Sequence, residues 1–355
     1  MTKSLSVAGA VELAVVDRGG FIESRHSGIA VVLAPDGTVR ASFGDADAAV
    51  LPRSSLKPLQ AVGMLTAGAE LDGERLGLAT ASHAGTDRHV AVVRDILARA
   101  GLDEAALACP PARAADPETR DRQIREADPA TPIRMNCSGK HAAMLLTCVA
   151  NGWDTKNYLD LEHPLQRHLL RTIERLTGAK VQASVVDGCG APVHAVTLTG
   201  LARAIHRMGT VSEGSPFALH RHASSVVRAV LENPWTIAGP GQSDTMIGER
   251  LGVFAKLGAE GLQVAVAPDG TTVALKMLDG GQRAAPIVAL TLLRSAGALT
   301  EQELSGVAGE LHLDVRGGAD VVGSIRPTVG VAPSSAHSAA LDARGDLSAP
   351  PSPPG

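Results

Sequence analysis

Ser54 and Lys57 stand three residues apart in "LPRSSLKPLQAVGML" (residues 51–65), where a polar turn runs into an apolar stretch. On a helix this spacing lays the lysine amine over the serine hydroxyl, as a base over its nucleophile. The same residues also read as plain structure. Ser54 or Ser55 would cap the helix, and Pro58 lies close enough to its start that the missing N–H costs little. Three more polar clusters sit among glycines beside apolar segments: "SHAGTDRH" at 82–89, "NCSGKH" at 136–141 and "DGCGAP" at 187–192. Each alone is a cap or a turn; together they place hydroxyls, thiols and amines where rigid elements can hold a site.

Cys137 and Cys189 admit three readings. A thiolate beside Lys140 and His141 would have a depressed pKa and serve as a nucleophile. Cys137, His141 one helical turn on and Cys189 from a distant loop would suit zinc. Either cysteine could equally be buried and inert. Between the two candidate third ligands, chemistry prefers His141, because the Lys140 amine must lose a proton before it coordinates.

The elements that must position these residues follow from pattern. Two apolar strands, 28–33 and 38–43, flank the Asp-Gly of "PDGT", a hairpin signal. Helices fit 55–69, 88–100, 142–149, 162–177 and 217–232. The segment 107–133 is polar and proline-punctuated, a surface loop with one short helix. A second strand pair around Asp-Gly lies in "GVFAKLGAEGLQVAVAPDGTTVALKMLDG", and "APIVALTLLRSAGA" closes as a helix. Strand pairs at both ends and helices between them predict an α+β or mixed α/β fold whose terminal segments share one antiparallel sheet. Sheet-forming parts are expected over about 10–50 and 245–330, and the helical part over about 51–240. From 331 to 355 the chain turns rich in Ser, Ala and Pro, the composition of a flexible tail.

Composition narrows the function. Aromatics are 2% of the chain, so stacking platforms for single-stranded nucleic acid are lacking. The net charge is −4 with no basic block, which leaves a nucleic-acid partner no electrostatic footprint. The opening stretch meets Glu12, Asp17 and Arg18 before any uncharged run reaches membrane-spanning length, so a soluble cytoplasmic protein is expected. Four cysteines in so large a chain point to free thiols or metal ligation rather than crosslinks. "GPGQSD" at 239–244 has a glycine pattern but no strand-turn-helix context, and reads as a loop.

Seven segments in unbroken order, "RGGFIESRHSG", "LPRSSLKPLQA", "SHAGTDRH", "MNCSGKHAAML", "DGCGAPV", "AKLGAEG" and "ALKMLDG", resemble the asparaginase II family, the rhizobial type of L-asparaginase. The resemblance spans about residues 10–330. It implies a fold like that of serine β-lactamases and glutaminases. The activity it implies is release of L-aspartate and ammonia from L-asparagine through a serine acyl-enzyme. Carried onto this chain, the nucleophile falls on Ser54 and its lysine on Lys57, with Ser82 and Lys256 as the second serine and lysine. The implied metal ligands are Cys137, Lys140 and Cys189, holding Zn2+ and displacing His141. Arg53 and Asp187 lie in the same motifs and are expected at the substrate. One departure stands out: the family tends to carry His-Pro-Glu where this chain has Asn233-Pro234-Trp235, although the segment with Asp244 that follows is intact in "GQSDT".

The chemistry is coherent with those residues. Amide hydrolysis needs an attacking oxygen, a base, an acid for the leaving ammonia and donors for the oxyanion. A lysine works as a base only when neutral, which burial or a neighbouring cation favours, and two lysines near two serines supply that. The rival enzymes are a glutaminase, one methylene away in substrate, and a penicillin-recognising serine hydrolase, whose Ser-Asp-Asn and Lys-Thr-Gly elements are absent in those forms. A zinc-stabilised scaffold without catalysis is the remaining alternative. The expected partner is a small molecule, with a homodimer left open.

Overall fold

The computed structural model of the chain describes residues 4–330. The tail expected at 331–355 lies outside the described residues. In chain order the elements begin β1 (Val11–Arg18), β2 (Phe21–Leu33), β3 (Val39–Phe43), β4 (Ala49–Val50), α1 (Lys57–Thr66), α2 (Gly73–Ala79), α3 (Asp87–Arg99), α4 (Pro117–Arg125), α5 (Ser138–Ala150) and α6 (Pro164–Thr177). They continue with β5 (Ala183–Val186), β6 (Pro192–Thr197), α7 (Leu198–Thr210), α8 (Ala218–Glu232), α9 (Ser243–Leu251) and β7 (Phe254–Gly258). The chain closes with β8 (Leu262–Val266), β9 (Thr272–Met277), α10 (Ala285–Ser295), α11 (Glu301–Ala308), β10 (Asp314–Gly317) and β11 (Asp320–Pro327).

The terminal segments share one antiparallel sheet in the order β10-β11-β1-β2-β9-β8-β7. Pairs such as Ala14 with Pro327 and Ala30 with Leu275 close the start of the chain onto its end. β2 is the spine. β1 lies along its first half, and β3 takes over that edge opposite Ala30–Leu33, which curls the sheet. This is a mixed α/β fold with a curled antiparallel sheet and helical regions, as the resemblance implied. A small sheet, β4-β6-β5, stands apart from it.

Residues 28–33 of β2 read as an unbroken apolar run because both faces of the sheet are covered. Ile29, Val31 and Leu33 pack toward the helices of residues 57–232, while Ala30 and Val32 pack toward α10 and α11. β8 divides the same way, with Val264 and Val266 on the helical side and Ala265 on the other. Alternate side chains of a strand point to opposite faces, so a stretch buried on both reads as apolar on both; the buried exception in β8 is Gln263, which is paired with Asp244. α7, which pattern alone did not reveal, crosses the sheet through Gly209. A Cβ there would stand 2.7 Å from Val266 Cγ2, so only glycine permits the approach. Among the described residues no helix is long and apolar enough to cross a membrane.

Candidate active site

The two adjacent serines of "RSSLK" have separate duties. Residues 53–56 form a 3-10 turn leading into α1, entered by Arg53 at φ +50°, a backbone conformation costly for a residue with a side chain. Ser55 is buried, and its Oγ donates to the Lys256 carbonyl at 2.9 Å, tying the turn to β7. Gly258 lets the strand come this close: a Cβ on it would stand 2.5 Å from the Pro52 carbonyl. Neither serine caps α1, whose N-cap is Leu56 without a side-chain bond. Ser54 is half-buried and faces a pocket of about 170 Å3, and among the described residues its hydroxyl makes no hydrogen bond.

Lys57 opens α1 fully buried. Its Nζ donates to the Ala81 carbonyl and, at 3.0 Å, to Ser82 Oγ. Lys256, buried on β7, reaches the same oxygen from the other side at 3.1 Å and also donates to the Leu257 carbonyl at 2.9 Å. Ser82 is therefore the hydroxyl bracketed by two amines, while Ser54 lines the pocket beside it. The loop carrying Ser82 is stitched in place: Ser82 N–H donates to the Ile237 carbonyl and His83 N–H to that of Asn136. His83 accepts the Gly85 N–H on Nδ1, so its Nε2 is the donor toward Ser138 Oγ at 2.9 Å. Burial, reinforced by His89 and Lys57, holds His83 well below the usual histidine range, so it stays neutral.

Burial pulls the Lys256 amine down to about 8; Asp244 acts against that pull and Lys57 adds to it. The pocket is also lined by Asn136, Gln242, Asp244 and Gln282, none singled out from sequence as a site residue. By pattern "GQSD" read as a loop, and only the family resemblance drew notice to the Asp244 segment; what gives Asp244 a role is a contact with Lys256 across the fold. Among the backbone N–H groups at the pocket, those of Ser54 and Ala259 have no partner among the described residues.

Arg53 and Asp187 come together, but on each other. Arg53 Nε donates to Asp187 Oδ1 at 2.6 Å, and neither side chain is among those lining the pocket of Ser54 and Ser82. Burial raises the Asp187 carboxyl, yet the Gly188 N–H and Arg53 outweigh it and hold the group below its ordinary value.

Cys137, Lys140 and Cys189 also meet, since Lys140 Nζ donates to Cys189 Sγ at 3.1 Å. The two sulfurs share a hydrogen bond that pushes Cys137 well down and Cys189 up. The expectation of Zn2+ is nevertheless overturned. Among the described residues no three His, Cys, Asp or Glu side chains are grouped to hold a metal ion. The third member of the set is Lys140. Burial lowers its pKa, but Cys189 and Cys137 outweigh it and hold the proton more firmly than usual, so the amine offers N–H bonds and no lone pair. His141 does not replace it: its Nδ1 meets the Tyr158 hydroxyl at 2.7 Å and the ring interacts with Cys189, but it does not complete a metal-holding group with the two cysteines. The four cysteines carry no disulfide.

Residues 14–327 match the L-asparaginase II family. No curated protein matches the chain. Among solved structures, Mglu in its native form is 13% identical with a TM-score of 0.42, over 75% of this chain and 63% of that one. Mglu in its tris and glutamate form is 15% identical with a TM-score of 0.44, over 77% and 60%. A Bacillus glutaminase in 4.3 M NaCl is 12% identical with a TM-score of 0.34, over 76% and 91%. The chain thus spans less than two thirds of the length of these Mglu structures. The family match takes in both serines, both lysines and every strand of the main sheet but the first residues of β1, and the chain belongs to the L-asparaginase II family.

Proposed function

We propose that the chain hydrolyses the side-chain amide of L-asparagine, releasing ammonia and then L-aspartate. The observation that carries this reading is Ser82 Oγ held at 3.0 and 3.1 Å between two buried amines, at the pocket that Ser54 also lines. Ser54 Oγ attacks the carboxamide carbon, and its proton passes through Ser82 to an amine. Lys256 suits that duty better than Lys57, since its pKa of about 8 leaves a useful neutral fraction near neutral pH. Lys57 then acts as the neighbouring cation. The N–H groups of Ser54, on the attacking residue itself, and of Ala259 are donors available to the oxyanion. Collapse of the tetrahedral intermediate breaks the C–N bond, the leaving nitrogen takes the proton back through Ser82, and ammonia departs. Water then attacks the aspartyl ester by the same route in reverse.

The opposite charges of a zwitterionic substrate have one matching pair beside the pocket, Arg53 and Asp187. For that pair to take the substrate's carboxylate and ammonium, the 2.6 Å bond between them must open. Nothing in the pocket selects glutamine over asparagine, and one methylene changes preference by only about 1–3 kcal/mol. We place the reaction in the cytoplasm, where unpaired cysteines stay reduced. The test is ammonia release from asparagine and from glutamine, alongside opening of a chromogenic β-lactam. Asparagine should be the best substrate, and Ser54→Ala should lose about 10³-fold or more in kcat while folding normally. Retention of a tenth of the activity would move the nucleophile to Ser82, and β-lactam opening without ammonia release would sink the reading.

A further inference from the structure

Asp244 stands buried in the first turn of α9 with both carboxylate oxygens engaged. Oδ2 accepts the Leu257 N–H at 2.7 Å and Oδ1 accepts Gln263 Nε2 at 3.1 Å. A buried carboxylate is costly unless it is hydrogen-bonded and its charge balanced. Both donors here are neutral. The balancing charge is Lys256 Nζ, 3.8 Å from Oδ2, a separation that makes an ion pair without a hydrogen bond. The amine's hydrogen bonds go instead to Ser82 Oγ and the Leu257 carbonyl. The carboxylate therefore acts on Lys256 through its field and leaves the amine free to serve the serine.

We propose that Asp244 is a positioning residue, fixing β7 through Leu257 and β8 through Gln263 and setting through its charge how firmly Lys256 keeps its proton. The proposal rests on the reading above, in which Lys256 acts through Ser82. Around Nζ the charged or titratable groups are Lys57 from α1, Cys137 at the start of α5 and Asp244 from α9. β8 adds only the neutral Gln263, and Arg53 of the 53–56 turn is taken by Asp187. Burial lowers the Lys256 pKa; Asp244 opposes this more strongly than Cys137 does, while Lys57 reinforces it. Removing the carboxylate charge should tip Lys256 further toward the neutral amine.

Asp244→Asn removes the charge and keeps the shape. Its Oδ1 can still accept from Leu257 N–H. Its Nδ2 would face a donor, but Gln263 Oε1 is buried without a partner and a flip of that amide would supply the acceptor. The experiment titrates Lys256 directly, by NMR of protein labelled at the lysine Nζ, with its signal identified by its loss in Lys256→Met. In Asp244→Asn the midpoint should fall by about one pH unit or more, and the acid limb of kcat/KM should fall with it. If Asp244→Asn does not fold, Asp244→Ser, which keeps an acceptor for Leu257 N–H, should show the same direction. An unmoved midpoint in the folded variant overturns the proposal, as does activity lowered equally at every pH. If the midpoint moves but neither protein releases ammonia from asparagine, the role of Asp244 stands and the amidohydrolase reading falls.

Discussion

The pocket and the thiol cluster each bury a lysine completely, and the two lysines go opposite ways. Lys256 falls to about 8, whereas Lys140 rises above its ordinary value. Desolvation is the largest influence on both and pushes both down. The neighbours decide the outcome. Lys256 faces one carboxylate, the charge of Lys57 and, most weakly, Cys137; Lys140 faces both sulfurs as its main neighbours, one with a strongly depressed pKa, and Asp187 beyond them. Burial alone therefore does not mark a lysine as a base: a buried lysine beside another cation is a candidate for proton transfer, and one beside a thiolate is a structural cation.

Exchanging each lysine for methionine should separate these roles. Lys256→Met should lower kcat for asparagine about 10³-fold or more, and because it leaves the buried Asp244 carboxylate without its balancing charge it should also cost about 3 kcal/mol in urea unfolding. Lys140→Met should leave much of the activity and cost about 3 kcal/mol in urea unfolding, because it strands a buried sulfur charge. Activity kept in Lys256→Met and abolished in Lys140→Met would break the comparison.

The pH profile comes next in size. If Lys256 must be neutral, kcat/KM should climb about tenfold per unit toward pH 8 and level off above it, and a flat profile from 6 to 9 with chemistry rate-limiting would refute the base assignment.

Histidines extend the contrast to both sites. His83 behind the pocket lies well below its usual value, and His89 and His141 are pulled to about 4, burial being the largest cause in each. Unfolded histidines titrate near 6.5, so below that pH the unfolded chain takes up protons that the folded chain refuses. Stability present above 6.5 should be lost as pH falls toward 4, about 1.4 kcal/mol per unit for each such histidine. Urea midpoints at pH 7 and pH 5 measure it, and His141→Phe should remove only its own share of the acid sensitivity.

Much of this was legible in the residues. "PDGT" announced the β2–β3 hairpin and its counterpart the β8–β9 hairpin, and the helices expected at 88–100 and 162–177 formed at Asp87–Arg99 and Pro164–Thr177. The serine-lysine spacing pointed to the right neighbourhood, though not to the partner: Lys57 reaches Ser82 rather than the serine one turn before it. That contact joins residues 25 apart, and the one between Asp244 and Lys256 joins a helix to a strand, so neither has a local signature. The zinc expectation failed for a related reason. Ligand types can be counted along a chain, but whether an amine keeps its proton depends on what surrounds it after folding. α7 escaped notice because Gly200 and Gly209 look like helix breakers until the sheet beneath them is known.

The closing of β1 onto β11 bears on how the protein is made. β2, whose last five residues are an unbroken buried apolar run, leaves the ribosome more than two hundred residues before β9, the neighbour along one of its edges. Through that interval its unpaired backbone groups and its Ile-Ala-Val-Val-Leu run are open to other nascent chains, the situation in which strands associate wrongly. Lys256, held in place by β7 at the far end of the same sheet, likewise arrives late. Synthesis slowed after residue 254 should therefore increase aggregation of the unfinished chain, and a shortened product ending before β9 should carry "RSSLK" intact yet have no finished site.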